Sequence, residues 1–482
     1  MAQQGVFARK PIADIIATQG GSRSSSRILG PFSIIAMGIG AIIGAGIFVL
    51  TGTAAALYAG PALVLSFVLA AVTCALVGLC YAELATLMPV QGSTYVYTYA
   101  TLGELVAWMI GWDLILEYSV GVAAVASGWS AYFNRLLHQV GLGLPPQFLA
   151  ATGEAITRAD GSPGVAIANL PAAIILLLIT ALLVLGTRES ARLNNVMVAV
   201  KLVVVLSFVV VGAAYVSPAN WHPFIPANTG EFGHFGWSGI LRGASVVFFA
   251  YIGFDAVSNC AQEARQPQRD MPIGILGSLG VSTVLYIAVV IVLTGLVPYP
   301  KLNVADPVAE GAQVIGLGWL SLLVELGALV GLTTVILVLL YGQSRIFASM
   351  ANDGLLPPMF ARIHPRLNTL WISQLVIGVG VAAVAATTPI DTLGQLVGAG
   401  TLFAFILVCI AVIHLRHREP DTPRSFRVPA VPWLPLLGIV ACLGLLSGLS
   451  AHIWLRLGIW LVIGVAIYFA YGRFNSRLVG RT

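Results

Sequence analysis

Uncharged or nearly uncharged apolar stretches recur twelve times along this chain, at about 32–57, 61–88, 102–133, 170–186, 194–216, 240–262, 273–298, 319–350, 370–387, 392–414, 431–449 and 454–472. A helix rises 1.5 Å per residue, so about 20 apolar residues cross the roughly 30 Å hydrocarbon core of a bilayer. In that medium every backbone N–H and C=O must be paired, which leaves helices or closed barrels. A spanning strand needs only about 9–11 residues, so stretches of this length read as helices. The composition agrees: 58% of the 482 residues are hydrophobic and 9% charged, where a soluble domain carries about 25% charged residues. The sequence therefore predicts an all-α polytopic membrane protein with twelve transmembrane helices. The third and eighth stretches are long enough to tilt or to extend past the bilayer.

An even number of spans puts both termini on one side. If that side is the cytoplasm, its segments carry Arg9, Lys10, Arg23, Arg27, Arg188, Arg192, Arg265, Arg269, Arg345, Arg362, Arg366, Arg416, Arg418, Arg424, Arg427, Arg473, Arg477 and Arg481, which is 18 of the 24 basic residues. Arg135, Arg158, Lys301 and Arg456 remain for the opposite side. The positive-inside rule then sets both termini in the cytoplasm and the protein in the cytoplasmic (inner) membrane. The net charge of +5 follows from this bias and is no sign of nucleic-acid binding. No cleavable signal peptide precedes the first span, and Pro11-Ile-Ala-Asp-Ile-Ile16 in the polar leader reads as a short interfacial helix.

Two of the spans are interrupted. In the first, Gly38-Ile-Gly-Ala-Ile-Ile-Gly-Ala-Gly-Ile-Phe48 places four glycines in one short piece, and each weakens a helix by about 1 kcal/mol relative to alanine. One reading is a close helix–helix contact, since Gly40 and Gly44 form a small-xxx-small pair. The other is a helix unwound at Gly44-Ala45-Gly46, tolerable at mid-membrane only where the freed backbone lines a cavity or meets a ligand. The sixth span, Ser245-Val-Val-Phe-Phe-Ala-Tyr-Ile-Gly-Phe-Asp-Ala-Val-Ser-Asn259, carries Gly253 and Asp255 near its middle. Interrupted segments at corresponding places in two halves of a polytopic chain point to a transporter binding site. Five spans are an odd number, so a second copy of the unit must be inverted. The predicted organisation is a leader over 1–30, a first five-helix repeat over 31–216, an inverted second repeat over 238–416, and helices 11 and 12 with a C-terminal tail over 430–482.

Ionisable side chains at bilayer depth cost roughly 2.5–3.5 kcal/mol on insertion scales, so each needs a reason. Lys201 lies some seven residues into span 5 among valines and leucine, too deep for easy snorkelling. It reads as a proton-coupling group or tethered cation, with a permanent pairing to a span 3 carboxylate or a helix C-terminus as the bland alternative. Asp113 and Glu117 share one helical face. Glu117 reads as a substrate or gating residue, and Asp113 as a structural contact. Asp255 reads as a tie on the unwound backbone after Gly253. Arg242 and Glu325 fall near outer span ends, and Glu83 near an inner one. Phe248, Phe249 and Tyr251 read equally as packing or as a lid over substrate.

The five cysteines form no CxxC pair and the seven histidines no HExxH, so neither a metal nor a disulfide framework is expected. The glycines of span 1 lack the spacing and the preceding strand of a dinucleotide fingerprint, and no Walker A sequence is present. No cofactor is expected, and a secondary transporter is favoured over a pump. An intramembrane enzyme would need a nucleophile–base pair or metal cluster in the spans, and none has credible spacing.

The motif at 38–48 resembles the first-helix motif of permeases in the amino acid–polyamine–organocation superfamily. Gly78-Leu-Cys-Tyr-Ala-Glu83, Gly92-Ser-x-Tyr-x-Tyr97, Gly103-Glu-Leu-x-Ala107, Gly111-Trp-Asp-Leu-Ile-Leu116 and Phe249-Ala-Tyr-Ile-Gly-Phe-Asp255 resemble its cationic amino acid transporter family. So do Glu263-x-x-x-Pro267-Gln, Ala348-x-Met-x-x-Asp-Gly-Leu-Leu356, Val428-Pro-x-Val-Pro-x-Leu-Pro435 and Ile467-Tyr-Phe-x-Tyr-Gly472, and twelve spans resemble the bacterial members. The resemblance implies a LeuT-type fold with a 5+5 inverted repeat, and alternating access. It implies a substrate site at Ile42, Ile43, Gly44, Ala45, Gly46, Phe249, Ala250, Tyr251 and Ile252, with the carboxylate on N–H groups of the first break and the ammonium on carbonyls of the second. Phe249 would be the gate and Lys201 the lysine that takes sodium's place in proton-coupled relatives. Ala45 departs from the Ser or Thr of many relatives, and Glu117 from a neutral position in the animal members. The implied activity is proton-coupled symport of small neutral or cationic L-amino acids, with an amino-acid or polyamine exchanger and a non-transporting sensor as alternatives. Partners are the amino acid, protons and the lipid bilayer, and the sequence leaves open a small accessory membrane peptide.

Overall fold

The computed structural model describes residues 5–12, 14–15, 29–90, 92–158, 161–186, 191–261 and 263–478. Arg23, Arg27, Arg188, Arg481 and part of the leader's expected interfacial piece lie outside the described residues. Where residues 11–15 are described they make a helical turn that buries Ile15, with its N–H on the Pro11 carbonyl. The turn is therefore docked on the protein. Among the described residues, eight helices are long and apolar enough to cross a membrane, and four shorter apolar helices accompany them.

Span 1 is Pro31–Ile42 followed, after a break, by a wound stretch over Gly46–Leu50, Thr51–Ala54 and Ala55–Ala59. Span 2 is Leu63–Leu87, span 3 Glu104–Gln139, span 4 Leu170–Leu185 and span 5 Ala191–Ala213. Span 6 is Gly236–Val247 with a 3-10 turn at Phe248–Tyr251, and restarts as Asp255–Cys260. Span 7 is Pro267–Leu296, span 8 Gly318–Asn352, span 9 Trp371–Thr387 and span 10 Ile390–Arg418. Span 11 is Trp433–Ser447 and span 12 Ala451–Ile467. A two-stranded antiparallel hairpin, Ala155–Thr157 on Pro163–Val165, decorates the loop after span 3. Two loop helices, Ser93–Thr101 and Pro307–Val314, were not expected from sequence. Span 7 also starts earlier than its apolar run. Pro267 suits a helix start, and Asp270 reaches back to accept the Gln266 N–H at 3.0 Å.

Each of the first four spans lies antiparallel against the span five places on. Along spans 1 and 6, Phe235 N–H bonds Tyr58 O, Gly46 abuts Ala250, Gly253 abuts Ala41 O, and Gly38 abuts Val257. Along spans 3 and 8 the sequence runs from Arg135 on Glu325, through Trp129 on Thr333, to Gly111 against Met350. Phe67 on Tyr286 and Gly78 on Ile275 set spans 2 and 7, while Asn169 on Ala386 and Val184 on Thr369 set spans 4 and 9. Span 12 stacks on span 3 through Trp112 and Trp460, their rings 4.5 Å apart.

Both ends of the chain meet on one face. Leader carbonyls of Val6 and Ala8 accept the N–H groups of Leu105 and Glu104, which the start of span 3 would otherwise leave unpaired. Lys10 pairs with Asp353 at 2.9 Å, and Arg477 N–H bonds the Asp353 carbonyl. The Glu104 carboxylate gathers Tyr99, Tyr468 and Ser476.

The second break is possible because of one glycine. Gly253 sits at φ 110°, and a Cβ there would come within 2.9 Å of the Ala41 carbonyl. Strained backbone of that kind costs of order 1–3 kcal/mol. Gly253→Ala should lower the melting temperature of the purified protein by several degrees. Gly44→Ala, whose added methyl would meet Val335 at 3.4 Å and the Ile42 carbonyl at 4.0 Å, should melt within a degree or two of wild type. Equal melting of Gly253→Ala and wild type would contradict the account.

Candidate functional site

The first half of span 1 ends at Ile42, and Ile43 is extended at φ −74°, ψ 99°. The chain winds again from Gly46. A helix end exposes carbonyls at its C-terminus and N–H groups at the next N-terminus, with partial negative and positive charge respectively. Among the described residues, neither Gly44 nor Ala45 donates its N–H to a backbone carbonyl. A break is therefore present, but it opens at Ile43, one residue before the expected Gly44-Ala45-Gly46, and Gly46 is already wound.

Lys201 fills the carbonyl side. Its ammonium lies 2.7 Å from Gly40 O and 3.1 Å from Ile43 O, and the side chain is fully buried. Gly331 of span 8 makes room for the methylene stem: a Cβ there would be 3.1 Å from Lys201 Cε. Of the two bland pairings open at the level of sequence, the structure gives the helix C-terminus rather than a span 3 carboxylate. A cation at a helix C-terminus is worth up to about 2 kcal/mol when partly buried.

The span 6 break matches it. Ile252 is extended after the Phe248–Tyr251 turn, and its N–H bonds Phe249 O at 3.3 Å. Asp255 Oδ1 accepts the Gly253 N–H at 3.2 Å, which ties the loop as the sequence suggested. Gly46 is in direct contact with the Ala250 backbone, so the two breaks touch. Ala45 packs toward Gly128 of span 3, and Phe249 is buried. Tyr251 donates to Phe67 O at 3.1 Å, and its ring packs on Phe67 and Tyr286.

A residue that sequence reasoning missed joins them. The Tyr286 hydroxyl of span 7 lies 2.8 Å from Ile42 O and 2.9 Å from Ala250 O, so one proton serves a carbonyl of each break. The signal available was a lone tyrosine in an apolar run, whose hydroxyl needs a partner when buried. Nothing in the sequence names that partner.

The remaining acids divide into two groups. Glu117 is buried beside Thr401 of span 10, while Asp113 faces Gly400 of the same helix. Glu325 is fully buried farther out and accepts from Arg135, Gln139 and Ser321 at 3.0, 2.8 and 2.9 Å. Arg135 also holds Asp306 at 2.6 Å and Glu310 at 3.1 Å, pinning the Pro307–Val314 helix over the second half of span 1. Burial pushes the loop carboxyl of Asp306 up from its ordinary value, against the pull of that guanidinium. Arg242 lies over the Tyr58 ring and Glu83 is held by Arg416 and Arg424. Cys74, Cys80, Cys409 and Cys442 are buried free thiols.

Residues 29–469 match the family described as amino acid permease. The chain belongs to that family. It is 46% identical to the methylthioribose transporter of Bacillus subtilis and 46% identical to a branched-chain amino acid permease of the same organism. Each match covers 98% of this chain and 99% of the relative. It is 39% identical to cationic amino acid transporter 9 of Arabidopsis thaliana, over 92% of this chain and 76% of that protein. These are membrane transporters, and the chain is a multi-pass membrane transporter, not an enzyme.

Tyr286→Phe leaves two buried carbonyls without their shared donor, a loss of about 1–3 kcal/mol. Its expected signature is a lower melting temperature together with weaker amino-acid binding, measured by titration of the purified protein. Unchanged binding and melting would remove Tyr286 from the site.

Proposed function

We propose that this permease is a secondary active carrier that moves L-amino acids across the cytoplasmic membrane together with protons, both chain termini lying in the cytoplasm. Residues 31–216 and 238–416 act as the two inverted five-helix repeats, and the breaks form the substrate site between them. The substrate carboxylate meets the N–H groups of Gly44, Ala45 and Gly46, where the half-helix N-terminus is positive. Its ammonium meets carbonyls around Phe249, Ala250 and Ile252. Phe249 closes over it, with Glu117 at the edge of the site.

The observation that carries proton coupling is the Lys201 ammonium on the Gly40 and Ile43 carbonyls. Half-helix C-termini and unwound carbonyls at a transporter's midplane are where coupling cations bind. Here a titratable side chain occupies that place. Loss of its proton would remove the positive charge that holds the inner half-helix end and weaken the break's geometry.

The relatives' names differ in substrate at equal identity. An amino acid is favoured because the breaks offer a positive and a negative backbone pole, and a zwitterion has a group for each. A sugar thioether has neither. Val335 and Phe249 make the surroundings of the breaks apolar, which favours an aliphatic side chain over a cationic one.

The test is uptake of labelled L-leucine, L-alanine, L-arginine and methylthioribose into proteoliposomes, with and without an inward proton gradient. Gradient-driven accumulation of leucine or alanine is expected in wild type, reduced at least tenfold in Lys201→Met while substrate binding persists. Uptake that ignores the gradient in both proteins would leave an exchanger. Accumulation of arginine or methylthioribose alone would overturn the substrate class.

A further inference from the structure

Asp113 is fully buried in span 3, and among the described residues neither of its carboxylate oxygens accepts a hydrogen bond. The side chain points at span 10, where a Cβ on Gly400 would lie 2.7 Å from Oδ1. The glycine makes the room. Glu117, one turn along, lies within electrostatic reach of both Asp113 and Asp255. Asp255 itself leaves Oδ2 unpartnered. On span 8, Gly342 packs against Tyr118, and its neighbour Gln343 is buried with neither amide atom partnered.

The groups around Asp113 are thus acidic or neutral. Its own helix brings Glu117 and, at the far end, Arg135, which is engaged by Asp306, Glu310 and Glu325. Span 10 brings Gly400 against it, Tyr95 of the Ser93–Thr101 helix packs on neighbouring Gly111, Trp460 of span 12 packs on Trp112, and Thr401 and Asp255 lie beside Glu117. Arg345 of span 8, Arg416 and Arg418 of span 10 and Arg456 of span 12 form no ion pair with Asp113 among the described residues; Arg416 is taken by Glu83 and Arg345 lies on the Tyr341 ring. A buried carboxylate with no donor and no cation is far cheaper to hold neutral than charged. Among the described residues the neutral form has no hydrogen-bond partner either.

We propose that Asp113 is a proton-binding site of the carrier, separate from Lys201, loaded in this conformation and emptied when spans 3 and 10 part. The proton comes from water on one face of the membrane, sits on the Asp113 carboxyl, and leaves to water on the other face, with Glu117 as the neighbouring carboxylate along the helix. Lys201 meets the first break from span 5, whereas Asp113 faces span 10 from span 3, so the two groups occupy separate places. The proposal rests on the reading of the protein as a proton-coupled carrier.

Infrared difference spectroscopy on the reconstituted full-length protein, with aspartate carboxyls labelled with carbon-13, tests it directly. A protonated-aspartate carbonyl band is expected that fades as pH is raised or L-alanine is added. The band should be missing in Asp113→Asn and also in Asp113→Glu, which keeps the carboxyl but takes it out of the labelled set. Absence of the band in wild type, or its survival in both variants, overturns the proposal. In liposomes, Asp113→Asn should keep amino-acid counterflow within about twofold of wild type and lose the pH dependence of gradient-driven uptake. An unchanged pH profile and unchanged proton flux per substrate would also overturn it. Wild-type uptake that ignores the gradient would instead sink the coupled-carrier reading, whatever the spectra show.

Discussion

One ammonium group holds the centre of this molecule. The first half of span 1 ends inside the helical bundle, where its last carbonyls need partners from the protein. Lys201 meets two of those carbonyls from span 5, and Gly331 of span 8 leaves the space for its stem. The lysine and the helix end satisfy each other. Burial that would expel either one alone becomes stable when both are present, and the negative end of the break has a partner inside the protein.

The positive end of the same break has no such partner. Gly44 and Ala45 keep their N–H groups free of backbone carbonyls among the described residues. The second break leans on the first through Gly46 against Ala250, Gly253 against Ala41, and the Tyr286 proton shared by Ile42 and Ala250. Both breaks are thereby fixed relative to each other, and the unsatisfied groups are confined to one small region. The antiparallel pairing of spans 1 to 4 with spans 6 to 9 places that region where the two halves of the chain meet. At the face that carries the termini, Lys10 on Asp353 and the leader carbonyls on span 3 close the bundle.

What the sequence made legible follows from what membranes demand. Length and apolarity set the span count, and the glycines at 38–46 and 253 marked the two interruptions, because few other residues permit the close approach of Gly46 or the positive φ of Gly253. The depth of Lys201 was legible as well, since a charge seven residues into an apolar run has few explanations. Its partners were not, because carbonyls carry no residue identity. Tyr286 stayed hidden for a related reason: its partners lie 244 and 36 residues away and are backbone atoms. The helix at Pro307–Val314 was short and loop-like in composition, and the arginine that pins it comes from the end of span 3. Asp113 and Glu117 were visible as a pair on one helical face, but that Asp113 has no hydrogen-bond partner among the described residues emerged only once Gly400 was placed opposite it.

The central claim is that the two breaks recognise the two charged ends of an amino acid through backbone poles. Binding of L-leucine, of its amine without the carboxyl group, and of the matching acid without the amino group, titrated into the purified protein, tests this most directly. Charge-assisted hydrogen bonds of this kind are worth about 1.5–3 kcal/mol each. The account predicts that removing either end weakens binding by at least tenfold while the apolar side chain is unchanged. Equal affinity for leucine and for either single-ended analogue would contradict it.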